Sequence, residues 1–273
     1  MIEGAPLFCY GPPLMSPKPQ IHDPILGPLT DDRLTRDYRV FQRAKGHRFS
    51  SDDVATAYVA WLAAKASHRV IDLGCGLGSV LLHLAWKLPE ATLVGVEAQA
   101  ISFELLRRNV ARNHLGDRVT IHHGDLRDAT ILAAAGAGFD LVTGTPPYFP
   151  PDTAVDAMDE QRAYARIEYR GGVEDYLEAG GKLLAPEGVM VLCGDARAGD
   201  RVDRGAAAAG LAIVARCDVI PHAGRPALFS IWTLSRGVGL ARALSTLTIR
   251  DADGRRTDEA LRLSEFSGFV TAR

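Results

Sequence analysis

Hydrophobic positions along the chain change rhythm near residue 69. From there, short apolar runs rich in β-branched residues recur as RVIDLG, TLVGVE, RVTIHH, FDLVTG and VMVLCG. Between them lie SVLLHLAWKL, ISFELLRRNVARNHL and VEDYLEAGGKLL, whose apolar residues return every three to four positions. The first pattern suits strands covered on both faces, the second helices with one buried side, and their alternation predicts βαβ units in a mostly parallel sheet. After Gly194 the pattern predicts a helix over about 200–209 and then two strands, LAIVARCDVI and ALFSIWTLS. Their separator, PHAGRP, holds two prolines and a glycine, so it reads as a turn closing an antiparallel hairpin. The final segment reads as a strand, a DADG turn and a short helix.

Upstream the picture is different. Residues 1–29 are proline-rich without a sustained period and predict an irregular arm; residues 30–273 form the domain. From Asp31 the spacing predicts a helical extension, and Ser50 or Ser51 caps a helix running through VATAYVAWLAAKA.

A chain of 273 residues with 47% hydrophobic content fits one large α/β domain. Cys9, Cys75, Cys193 and Cys217 form no Cys-x-x-Cys pair, which indicates neither a metal site nor a disulfide framework and fits a reducing, cytoplasmic setting. No apolar run approaches a membrane span. The net charge of -2 argues against a generally basic nucleic-acid coat. Charge is uneven, however: residues 33–48 hold Arg33, Arg36, Arg39, Arg43, Lys45 and Arg48, and Arg250, Arg255 and Arg256 cluster in residues 250–256. These segments are either solvated faces or phosphate-contacting patches.

The first strand delivers DLGCGLGS, Asp72 to Ser79, into a helical pattern. Gly74, Gly76 and Gly78 permit a tight turn and a close approach of a ligand to the backbone. A nicotinamide-binding loop would want glycine where Ser79 stands. Asp72 adds an acid suited to a cationic amino group, so the loop suggests a zwitterionic ligand rather than a pyrophosphate. Glu97 ends the second strand, where a carboxylate accepts from both hydroxyls of a ribose. Asp125 follows the third, where a carboxylate accepts from an adenine amine. Each acid alone reads as a strand-end residue or helix cap; their order on successive strands singles them out. The fourth strand runs into TGTPPYFP, Thr143 to Pro150, whose prolines end the ladder and stiffen the loop at the edge where α/β sheets bind ligands.

This order of glycine loop, ribose acid, adenine acid and Pro-Pro-Tyr loop resembles the class I S-adenosylmethionine-dependent methyltransferases. The segment FQRAKGHRFSSDDV, Phe41 to Val54, and the run QRAYARIEYRGGVEDYLEAGGKLLAPEG resemble the bacterial tRNA(Val) adenine-N6 methyltransferases. The likeness implies a Rossmann-like seven-stranded mostly parallel sheet with helices on both faces, the C-terminal hairpin included. It implies S-adenosyl-L-methionine as cofactor, held by the glycine loop with Cys75, by Asp72, Glu97 and Asp125 with Leu126, and by Arg48, Phe49 and Asp52 of the pre-loop motif that lines the family's cofactor pocket. It also implies RNA as partner, through the basic segments 33–48 and 250–256.

In the family the loop usually reads Asn-Pro-Pro-Tyr, and the asparagine oxygen and the next carbonyl accept hydrogen bonds from the target amine. Carried over, Pro146 supplies the main-chain acceptor, Tyr148 the stacking platform, and Pro147 stiffens the loop between them. Thr145 stands where the family has asparagine. Its hydroxyl is shorter and is itself a donor, so three readings stay open: adenine held chiefly by Pro146, a different acceptor such as a small molecule or protein side chain, or a catalytically silent RNA-binding module. Ile167 also departs from the histidine that the tRNA enzymes often carry.

Overall fold

The computed structural model describes residues 20–151, 159–237 and 242–269. The chain begins with three short strands, β1 (Ile21–Asp23), β2 (Gly27–Arg33) and β3 (Arg39–Arg43). Then follow α1 (Ser51–Ala63), β4 (Arg69–Leu73), α2 (Ser79–Lys87), β5 (Thr92–Glu97), α3 (Ala100–Arg112), β6 (Val119–His123), α4 (Ala129–Ala135) and β7 (Phe139–Gly144). The last part comprises α5 (Glu160–Arg166), α6 (Val173–Leu183), β8 (Leu184–Asp195), α7 (Gly199–Ala208), β9 (Leu211–His222), β10 (Phe229–Arg236), β11 (Ala243–Arg250) and α8 (Asp258–Phe266).

The main sheet has the order β11-β9-β10-β8-β7-β4-β5-β6. Its pairs are parallel except those of β10, which runs antiparallel to both β8 and β9 and so makes the expected C-terminal hairpin. There are eight strands rather than seven, because β11 adds in parallel to the outer side of β9. Alternation along the strands sends Val70, Leu141 and Val191 to the layer of α1, α2, α3 and α8. Their neighbours Ile71, Val142 and Leu192 go to the layer of α4, α6 and α7. Helices therefore cover both faces, and the strand interiors are apolar on both sides.

The N-terminal part departs from its expectation. Residues 27–43 form two strands of a separate antiparallel sheet, where the spacing of Arg33, Arg36 and Arg39 mimics a helix face. Turn chemistry decides the outcome. Asp23 Oδ1 accepts from the amides of Ile25 and Leu26, closing one hairpin, and Thr35 Oγ1 accepts from Tyr38 N at 2.9 Å, closing the other. Residues 21–29 of the expected irregular arm thus belong to this sheet and its first turn; residues 1–19 lie outside the described residues. On α3, Asn109 and Asn113 hold β3 as a strand would: Asn109 bonds the amide and carbonyl of Phe41 at 2.7 and 3.2 Å. Asn113 does the same for Arg39 at 2.9 and 2.8 Å. The small sheet thereby fixes the loop of residues 44–50, which leads into the cleft described next.

Candidate active site

The carboxyl ends of β4, β5, β6 and β7 open onto a cleft of about 850 Å³, solvent mouth included. Its floor is the loop after β4. Cys75 N donates to Val96 O at 3.0 Å and Gly124 N to Glu97 O at 3.0 Å, which ties the ends of adjacent strands into one rim. Glu97 Oε2 accepts from Gly76 N at 2.8 Å and Oε1 from Gln99 N at 2.6 Å. Each oxygen keeps a lone pair for a ligand, and burial raises the Glu97 carboxyl above its usual range.

The three loop glycines serve three different purposes. Gly76, at φ +58°, has nothing within 4 Å of where a Cβ would stand and opens on the cleft. A Cβ at Gly74 would lie 1.9 Å from the hydroxyl oxygen of Tyr176, so that glycine admits an α6 side chain that itself lines the cleft. Gly78, at φ +95°, starts α2 against Leu106 and stands off the cleft.

Asp72 is 1% exposed and aligned with Thr143 across the β4–β7 register. Thr143 Oγ1 donates to its Oδ1 at 2.8 Å, while Oδ2 has no hydrogen-bond partner of ordinary geometry among the described residues. Burial, with a contribution from Glu97, pushes this carboxyl up to about 7. Asp72 is not among the residues that line the cleft, and the backbone of Leu81 in the first turn of α2 also favours its charged form, so the carboxylate stands behind the glycine loop. Asp53 of α1 faces the cleft from another side, its Oδ2 accepting from Ser50 N at 2.9 Å and its carboxyl raised to about 8 by burial and by Asp52. Asp125 and Leu126 line the far end, where Arg127 engages both Asp125 oxygens at 2.9 and 2.7 Å and lowers its pKa.

Phe49, Cys75, Thr145 and Pro147 also line the cleft. Burial pushes the Cys75 thiol well up, which suits packing and not nucleophilic attack. Arg48 is placed elsewhere: its guanidinium bonds Asp32 Oδ2 at 2.7 Å and Thr30 Oγ1 at 2.9 Å, bracing the loop rather than facing the cleft. Pro146 is buried outside the lining. Tyr148 is no cleft wall either. Its ring packs against the core of the α1 layer, and its hydroxyl lies 3.0 Å from both Asp52 Oδ2 and Cys193 Sγ. With the donor proton given to Asp52, the thiol donates in turn to the tyrosine oxygen.

Several lining residues lie in the two segments that resemble the tRNA enzymes, yet nothing in their own pattern singles them out. His47 and Tyr164 enter from loops and a short helix, Tyr176 reads as part of the apolar face of α6, and Asp53 reads as a capping-box residue. Burial and the guanidiniums of Arg162 and Arg166 pull the His47 imidazole below its usual range against the opposing pull of Asp52. The basic segments are largely committed: Arg39 pairs with Asp31 at 2.9 Å, Arg43 with Asp159 at 2.8 Å, and Arg48 with Asp32. Arg255 pairs with Asp253 at 3.1 Å, while Arg250 and Arg256 bond the carbonyls of Gly254 and Ala260.

The chain is 29% identical over 247 residues to a tRNA1(Val) (adenine(37)-N6)-methyltransferase of Porphyromonas gingivalis, covering 86% of this chain and 94% of the relative. It is 28% identical over 198 residues to the enzyme of the same name from Yersinia pseudotuberculosis, covering 71% and 76%. A predicted O-methyltransferase from Agrobacterium tumefaciens shares the fold, with a TM-score of 0.61 at 18% identity over 81% of this chain and 99% of that one. The methyltransferase small domain profile matches residues 43–185, from the end of β3 to the start of β8 and so across the whole cleft, and the chain belongs to that family.

Proposed function

We propose that the protein transfers a methyl group from S-adenosyl-L-methionine to the exocyclic N6 amine of an adenine in tRNA, in the cytoplasm. The observation that carries this reading is that the glycine loop with Glu97 and the acceptor loop with Thr145 and Pro147 wall a single cleft. The relatives named as tRNA adenine-N6 methyltransferases support the choice of acceptor.

The residues that line the cleft suit the cofactor: Glu97 for ribose hydroxyls, Asp125 and Leu126 for the adenine end, and Asp53 for the amino group, with Asp72 behind the glycine loop reaching it through a water. When bound, S-adenosyl-L-methionine supplies an electrophilic methyl on a sulfonium. The chain's own task is then orientation. Thr145 Oγ1 accepts a hydrogen bond from the target amine and turns its lone pair into the cleft. Phe49 and Pro147 take the wall positions that Tyr148 does not occupy. His47 lines the same cleft, and burial makes its imidazole a weaker base than usual. Tyr148, anchored by Asp52 and Cys193, fixes the loop.

Incubation with labelled cofactor and separate tRNA, metabolite and protein pools tests the assignment. Label in tRNA alone, recovered as N6-methyladenosine, is expected; label confined to either other pool contradicts it.

A further inference from the structure

Most arginines of the two basic segments are spent on internal ion pairs and backbone carbonyls, so an RNA substrate needs further cations. They stand on α5, whose Tyr164 and Ala165 line the cleft. Arg162 and Arg166 lie one helical turn apart on α5, both exposed, and neither forms an ion pair among the described residues. From the first basic segment, the exposed Lys45, outside any described ion pair, joins them on the loop that touches α5 through His47 N and Gln161 Oε1 at 3.2 Å.

Aromatic rings are interleaved with these charges. The Arg166 guanidinium lies 5.6 Å over the Phe149 ring, and Arg170 lies 4.5 Å over Tyr164. Tyr164 meets Tyr169 edge to face at 5.5 Å, and Tyr169 is 40% exposed. The rim is also built onto the acceptor loop. Phe149 N donates to Arg166 O at 3.0 Å and Glu168 N to Phe149 O at 2.9 Å, which ties the end of α5 to the Pro-Pro-Tyr loop.

We propose that this rim grips the single-stranded RNA flanking the methylated base, with Arg162 and Arg166 on phosphates and Tyr169 stacked on a neighbouring base. The inference rests on the RNA reading of the site. Cations spaced along a helix beside exposed rings match the way unstacked RNA is held, by phosphate neutralisation together with sequence-tolerant stacking. An extruded adenine entering the cleft brings its flanking phosphates to the mouth, where these guanidiniums are mounted.

The test measures binding of unmodified tRNA to the full chain by anisotropy across a series of KCl concentrations. Arg162→Gln/Arg166→Gln should weaken binding at least tenfold at low salt and make the slope of log K against log salt shallower by about 1.4, two contacts at ~0.7 each. Tyr169→Ala should weaken binding without changing the slope. Cofactor affinity and the melting temperature should stay at wild-type values in both. A control, Arg197→Gln/Arg255→Gln, removes two arginines already paired with Asp195 and Asp253 and should leave binding unchanged. Unchanged affinity and slope in the α5 variant, or an equal loss in the control, would overturn the inference. Wild-type protein that binds and methylates no tRNA would instead remove the RNA reading, and this inference with it.

Discussion

The Tyr148 hydroxyl lies 3.0 Å from Asp52 Oδ2, which joins the loop after β7 to the first turn of α1. Cys193 of β8, fully buried, meets the same oxygen at 3.0 Å. The tyrosine is thus a strut that sets the acceptor loop against the sheet. Asp52→Ala and Tyr148→Phe should each lower kcat about tenfold, a change of ~1.4 kcal/mol in the barrier, with cofactor affinity held within about twofold. Because both remove the same contact, the double variant should be no worse than either single one. Additive losses in that cycle would separate the two residues.

Thr145 makes a second prediction. Thr145→Val keeps the shape and removes the hydroxyl, so turnover on tRNA should fall by about tenfold while the cofactor binds as before. Unaltered turnover, measured at saturating tRNA, would transfer the acceptor role to another group such as His47.

The loop glycines separate folding from binding. Gly74→Ala drives a methyl into Tyr176 and should lower the melting temperature by about 5 °C or more, since each kcal/mol costs roughly 2–4 °C in a chain of this size. Gly76→Ala meets no protein atom within 4 Å, so its stability loss should be confined to left-handed strain of about 1–2 kcal/mol. Its cofactor affinity should nevertheless drop at least about tenfold, because the Cβ enters the space the ligand needs. Calorimetry showing undiminished affinity in Gly76→Ala would move the ligand off this loop.

Asp72 carries a pH signature. Its folded pKa, about 7, exceeds the ordinary 3.8, so the folded state holds the proton more tightly. The contribution to stability is complete below about pH 4 and is lost as pH rises to about 7. His83, buried and lowered to about 4, acts with the opposite sign over an overlapping range, so the comparison must be with Asp72→Asn. The unfolding free energy of the ligand-free wild type relative to that variant should decline across pH 4 to 7 by a few kcal/mol, at ~1.4 kcal/mol per unit, and then level off. A flat difference would mean that Asp72 is ionised throughout.

Much of the sheet was legible because its strands are covered on both faces and its helices carry regular apolar stripes, as β4 and α6 do. The small N-terminal sheet was not. Its edge is held by Asn109 and Asn113, some seventy residues away, and its turns by Asp23 and Thr35, none of which a periodicity registers. In the cleft, Glu97, Asp125 and Gly76 stood out because strand ends fix their position. Tyr148 and Arg48 were assigned to the ligand, yet their polar atoms find partners within the protein, in Asp52, Cys193 and Asp32, through contacts visible only in three dimensions. His47 and Tyr176 reach the cleft from elements whose sequence signals only loop and core.

The most direct measurement is mass spectrometry of tRNA nucleosides from cells with and without the gene, with Thr145→Val restored as a third strain. N6-methyladenosine present in the wild type, absent without the gene and reduced in the variant is the expected result. A nucleoside profile identical in all three strains would contradict methylation of a tRNA adenine by this cleft.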